Sequence, residues 1–345
     1  MIGVFRTTLS ALAFFFVTTS ICAQSPSGNV VPITADNFNR AETDLYFSRI
    51  VKDGAFGKFF HRRELASLDN QTVIRLNRDT LYSSAVFDLD AGPVKITLPN
   101  AGRRFMSMQV INEDHYIFEV DYGAGNYNFS KAEVGTRYVM MALRILVDPA
   151  DPQDLKQAQV LQDAVTVRQR TPGRFEIPNW DPVSQKKMRD VLLMMNASLP
   201  DLRRAFGSRV QVDQVRHLIG TAAAWGGNPD RDAIYLNVTP KKNDGATIYR
   251  LSVPAKVPVN AFWSVTVYDA EGYLKKNQYD AYSLNSITAK RGADGSAAIQ
   301  FGGCDGKISN CLPTMKDWNY MVRLYRPRDE ILNGRWKFPE AQAVN

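Results

Sequence analysis

Three short stretches recur in the second half of this chain, in the same order and at nearly constant spacing. "RDTLYSSAV" from Arg78 returns as "RDAIYLNV" from Arg231, and "KITLP" from Lys95 as "RLSVP" from Arg250. "RFMSMQVIN" from Arg104 returns as "AFWSVTVYD" from Ala261. The offsets are 153, 155 and 157, a drift that loop insertions explain. One such match is weak, but three in step imply an internal duplication. The repeated segments are short and rich in β-branched and aromatic residues, which predicts strands. The fold expected is mainly β with a helical segment: two similar antiparallel β-sandwich, jelly-roll-like domains joined by helices.

A chain of 345 residues suits two domains. We place an N-terminal helix and sandwich at 24–150, a helical connecting segment at 151–228 and a second sandwich at 229–345. "TADNFNRAETDLYFSRIVKDGAFG" reads as the first helix, with Thr34 as N-cap and Gly54 as its stop. Phe38, Ala41, Leu45, Phe47, Ile50 and Val51 supply its apolar face. "DLKQAQVLQDAVTV", "DPVSQKKMRDVLLMMNASL" and "VDQVRHLIGTAAAWGG" carry the helical period of the connector. Val215, Leu218, Ile219 and Ala222 form a stripe there, and Met188, Met194 and Met195 read as core filling. "RPRDEILNGRWKFPE" reads as a closing turn and tail.

The first 23 residues have the form of a secretory signal peptide: Arg6, an apolar run from Leu9 to Val17, and cleavage expected after Ala23. Acylation of Cys22 is the weaker alternative, because bulky Ile21 sits where a small residue is wanted. No later stretch has the length and apolarity of a transmembrane helix. Periplasmic or secreted placement follows, and nucleic acid is set aside as a partner. Loss of Arg6 takes the net charge from +7 to +6, spread without a dominant basic run. In an oxidising compartment Cys304 and Cys311 of "GGCDGKISNCLP" are expected to form a disulfide. A two-cysteine metal site is the alternative, without a nearby His to complete it.

"NRDTLYSSAVFDL" resembles the signature of an N-terminal domain of unknown function numbered twelve-fifty-four. "FWSVTVYDAEGYL", "NQYDAYSLNS" and "NCLPTMKDWNYMVRLYRPRDEILNGRWKFP" resemble its C-terminal partner, numbered twelve-fourteen. The resemblance implies an exported bacterial protein of two β-sandwich domains, often oligomeric, with no settled activity. Where that pattern usually has Trp in "N-x-L-P", this chain has Cys311. The Gly-rich stretch expected after "MSMQVIN" is compact here.

Asn77, Arg78, Asp79 and Tyr82 crowd the start of the first repeat. Asp79 could act as acid or base while Arg78 holds an anion. Alternatively Asp79 caps a turn and Arg78 pairs with it or with a carbonyl. Repetition in the second half favours structure. "INEDHY" places Asp114 beside His115, a pairing that general acid–base chemistry uses; a polar hairpin is the other reading. The second half aligns "YDAEGY" with it and lacks the His. Asp269, Asn277, Tyr282 and Asn285 lie in a Tyr/Asn/Asp-rich stretch suited to a sugar, or to an irregular loop with Asx turns. No nucleophile elbow, zinc-helix motif, phosphate loop or dinucleotide fingerprint is present, so no cofactor or metal is expected. Two functions remain: binding or organising envelope or extracellular polymers, or hydrolysis of a glycan, amide or ester with carboxylates and His115 at an inter-domain cleft.

Overall fold

The computed structural model describes residues 29–71 and 74–344; the signal-peptide reading, with Cys22, lies outside them. The first half contains α1 (Phe38–Lys52), β1 (Phe60–His61), β2 (Thr80–Asp88), β3 (Val94–Leu98), β4 (Met106–Asn112), β5 (Ile117–Asp121), β6 (Gly125–Phe129), the short α2 (Lys131–Val134) and β7 (Tyr138–Leu146). The middle holds α3 (Pro152–Asp163), β8 (Thr166–Arg168), α4 (Pro182–Asn196) and α5 (Gln214–Ala223). The second half runs β9 (Ala233–Val238), β10 (Tyr249–Val253), β11 (Trp263–Tyr268), β12 (Ser283–Asn285), β13 (Ala297–Phe301), β14 (Cys311–Leu312), β15 (Asn319–Tyr325), α6 (Asp329–Leu332) and β16 (Gln342–Ala343).

Sheet order makes the duplication visible. The larger sheet of the first half is ordered β1-β2-β7-β4-β5 and that of the second half β12-β11-β15-β9. Read from β2 and from β9, the sequences β2-β7-β4-β5 and β9-β15-β11-β12 are the same path. The smaller sheets, β6-β3-β8 and β14-β13-β10-β16, match through β3 with β10 and β6 with β13. The Arg78–Tyr82 and Arg231–Tyr235 stretches therefore start equivalent strands.

Period two then divides each large sheet into two faces. Leu81, Ala85, Phe87, Val139, Met141, Leu143 and Ile145 turn inward onto Val94, Ile96 and Leu98 of the small sheet, forming one sandwich core. Ile234, Trp263, Val265, Val267, Tyr320, Val322 and Leu324 do the same over Leu251 and Ile299 in the second half. At about 25 cal/mol per Å² of apolar surface removed from water, these two cores supply the main drive to fold. The opposite faces carry Thr80, Tyr82, Gln109 and Arg144 in one sheet, and Tyr235, Thr266 and Arg323 in the other. Part of the first is covered by the helical layer, through Phe47, Val86, Ile111, Met140 and Phe206. The rest meets the second sheet, where Leu146, Ala233, Phe262 and Tyr325 form a small apolar seam with Phe105.

Several local expectations change. The first helix is capped at Asn37, not Thr34. Its sheltered side includes Glu42, Thr43 and Asp44, because polar partners in α4 and the loop before it meet it: Arg189 pairs with Glu42 at 2.5 Å, and Trp180 Nε1 donates to Asp44 at 2.8 Å. The end of the first connector segment is strand β8, paired with β3. Met194 and Met195 are exposed instead of filling a core, as is Val215 in the α5 stripe, because nothing described lies over that side of these helices. The tail adds α6 and β16, the latter pairing with β10. Cys304 and Cys311 are joined by a disulfide. No helix among the described residues is long and apolar enough to cross a membrane.

Candidate functional site

The two polar sheet faces meet at the junction of the halves. In β2 and β7, Tyr82 is registered opposite Arg144; in β9 and β15, Tyr235 is registered opposite Arg323. Ser107 of β4 and Ser264 of β11 lie next in line, opposite Arg144 and Arg323 respectively. Even the guanidinium partners correspond: Arg144 donates to Gln109 Oε1 at 2.6 Å, and Arg323 to Thr266 Oγ1 at 2.9 Å, from matching positions of the two strands.

Asparagines hold the phenols. Asn77 Nδ2 donates to the hydroxyls of Tyr82 and Tyr325, both at 3.1 Å. Asn228 Nδ2 donates to the Tyr235 hydroxyl at 2.8 Å. Burial, followed by the neighbouring Tyr235 and Tyr82, raises the Tyr325 pKa well above the ordinary phenol value. The Tyr325 phenol is therefore neutral at pH 7 and can donate. Tyr82, Arg144 and Tyr235 each keep some accessible surface, whereas Tyr325, Asn77 and Asn228 are buried around them. The result is a partly accessible cluster of phenols, amides and one guanidinium.

The repeated aspartates reach across the junction in opposite directions. Asp79 Oδ1 accepts from Ser283 Oγ at 3.2 Å and Asn285 Nδ2 at 3.1 Å, both of the second half. Asp232 accepts from Tyr122 of the first half at 2.8 Å. Arg78 donates to the Ala66 carbonyl and lies over the Tyr282 ring, 5.4 Å from its centroid. Asn77, Arg78, Asp79, Tyr82, Tyr282 and Asn285 thus come together at the junction. Asp269 and Asn277 do not join them: Asp269 accepts from the Tyr273 amide and pairs with Lys275, and Asn277 accepts from the Tyr279 and Ala281 amides. Both organise their own loop.

His115 and Asp114 lie in the helical layer. His115 is fully buried. Its Nε2 accepts from the Gly226 amide at 2.8 Å and its Nδ1 lies 2.8 Å from Thr221 Oγ1. The ring stacks between His217 and Trp225. Burial, and then His217, holds its pKa well below the usual imidazole value. A ring held neutral, with both nitrogens engaged, is arranged to fix α5 and the Gly226 turn. The second half repeats the turn with Gly272: both positions have positive φ, +64° and +88°. Asp114 pairs with Arg40 at 2.8 Å.

Two features escape a reading of the motifs. Arg144 and Arg323 sit in "ALRIL" and "MVRLY", a fourth in-order match whose offset jumps to 179 because the intervening loops differ in length. Glu119 and Asp121, two apart on edge strand β5, share one face. Burial, and then the paired Glu119, pushes Asp121 up to about 7. Among the described residues no cluster of His, Cys, Asp or Glu is arranged to hold a metal ion.

The family described as "Protein of unknown function (DUF1254)" matches residues 56–126, from ahead of β2 into β6. "Protein of unknown function (DUF1214)" matches residues 234–329, from β9 to α6. The chain pairs these two domains. The DUF1254 part supplies Asn77 and Tyr82, and the DUF1214 part Tyr235, Arg323 and Tyr325; Arg144 and Asn228 lie between the matched regions. No curated protein matches the sequence. The fold is similar to that of the VPA0106 protein from Vibrio parahaemolyticus, with TM-score 0.69 and 19% identity over 90% of this chain and 98% of that one. It is also similar to an uncharacterised protein from Burkholderia cenocepacia, with TM-score 0.51 and 13% identity over 90% and 88%. These likenesses concern fold alone.

Proposed function

We propose that this DUF1254–DUF1214 chain is a binding protein for polymers of the cell envelope or extracellular space, with a glycan foremost, taken up where Tyr82 and Tyr235 are partly accessible at the junction of its large sheets. The observation that carries this reading is the paired placement of Tyr82 and Tyr235, each partly accessible and each with its hydroxyl held by an asparagine. A ring offers an apolar face to a sugar, and its oriented hydroxyl satisfies a sugar hydroxyl. The disulfide and the leader-like first segment support an exported setting. A glycan array probed with the wild-type chain and the Tyr82→Ala/Tyr235→Ala double variant tests the reading. Glycans retained by wild type should be lost by the variant; retention by both would place binding elsewhere.

Hydrolysis is the second reading. The Glu119–Asp121 pair favours it, because a carboxyl held protonated near neutral pH is a general acid. Turnover of chromogenic glycosides that disappears in Asp121→Asn would support it; a panel with no turnover would end it.

A further inference from the structure

We propose that Arg144 receives a carboxylate of the bound ligand, so that this site selects acidic over neutral sugars; this rests on the binding reading above. Arg144, like Arg75 and Arg78, meets only uncharged acceptors, and so differs from the sheltered arginines that are ion-paired. Arg104, Arg137 and Arg189 face Asp154, Asp88 and Glu42 respectively. Among the described residues Arg144 has no such partner. Its donors meet Gln109 Oε1 and the Gly226 carbonyl at 3.2 Å, both uncharged, and its guanidinium lies over the Tyr82 ring. A buried cation without a counter-charge is costly unless something supplies the negative charge.

The duplication shows what is missing. Arg323, the equivalent arginine, has Asp79 of the opposite half close enough to act on its charge. By the same relation Arg144 would face Asp232. Asp232 is instead taken by Tyr122 at 2.8 Å and Arg231 at 3.3 Å. One copy of the arrangement is complete and the other lacks an anion. The groups around Arg144 suit a carboxylate on a sugar. The Arg144 guanidinium lies 5.7 Å from the Tyr82 ring centroid, and Tyr82 and Tyr235 have accessible surface. A planar carboxylate can take two parallel guanidinium hydrogen bonds. The same chemistry would also admit a free small organic acid.

Calorimetric titration of the full chain separates these cases, using trigalacturonate, its methyl ester and succinate as probes. Wild type should bind trigalacturonate at least tenfold more tightly than the ester, and succinate weakly. Arg144→Met should bind acid and ester alike, and Arg144→Lys should recover part of the preference. Equal binding of acid and ester by wild type overturns the carboxylate assignment and leaves the binding reading standing. No binding of either, with tight Arg144-dependent binding of succinate, keeps the carboxylate and removes the polymer. No binding of any probe overturns both. The acid–ester comparison on wild type needs no variant to fold.

Discussion

Arg144 and Arg323 stand at equivalent points of the two large sheets, the first opposite Tyr82 and the second opposite Tyr235. Their surroundings differ in one charge. Asp79 is among the groups that act on Arg323, whereas Arg144 meets Gln109, the Gly226 carbonyl and the Tyr82 ring. Equivalent places in a duplicated fold have been given different work.

Stability should report this difference. Arg323→Met takes away a positive charge that interacts with Asp79 and removes bonds to Thr266, the Arg75 carbonyl and the Tyr268 hydroxyl. It should cost about 3–5 kcal/mol. Arg144→Met strands no carboxylate and should cost about 1–2 kcal/mol. Urea unfolding of the two variants measures both; equal costs would contradict the asymmetry.

His115→Ala should destabilise the fold by about 2–4 kcal/mol, because it removes a buried ring and leaves the Gly226 amide and Thr221 hydroxyl short of a partner. The folded-state pKa of this ring is depressed. Its contribution is therefore complete above about pH 6.5 and declines as pH falls below that value. Stability measured from pH 8 to 5 should fall less in the variant than in wild type. Loss of ligand binding without loss of stability would instead make His115 a contact residue.

Asp44 has the opposite sign. Burial pushes its carboxyl from 3.8 up to about 7. The stability it permits is full below about pH 4 and is lost as pH rises through 7. Asp44→Asn keeps an acceptor for Trp180 and removes the charge. The variant should be more stable than wild type at pH 8, by on the order of 3 kcal/mol, with little difference at pH 4. Thermal melts at the two pH values decide; a variant less stable at pH 8 would refute the assignment.

The Cys304–Cys311 bridge closes a loop only seven residues long in sequence separation. Chain entropy then limits its contribution to about 2 kcal/mol. Reduction should lower the melting temperature modestly without unfolding the chain at room temperature. Complete unfolding by mild reductant would show that the loop matters far more to the second sandwich.

The duplication was legible because strands at matching places keep matching patterns, so Arg78–Tyr82 and Arg231–Tyr235 announce the starts of equivalent strands. Arg144 and Arg323 were not legible as a pair. Each sits in a strand whose neighbours are apolar, and only the register across the sheet sets it beside a tyrosine. α1 misled for a related reason: apolar periodicity cannot reveal that Glu42 and Asp44 turn inward when their partners, Arg189 and Trp180, lie far along the chain. β8 has three residues and owes its strand form to pairing with β3. His115 drew attention because the second half lacks it. That difference marks a turn that meets α5 in one half only.

Hydrogen exchange of the full chain with and without trigalacturonate tests the central claim most directly. The account predicts slowed exchange in residues 77–82, 140–146, 226–236 and 320–326, the four segments that bring Tyr82, Arg144, Tyr235 and Tyr325 together. Protection confined to the loop at 270–282 or to the exposed side of α4, with these four segments unchanged, would contradict it.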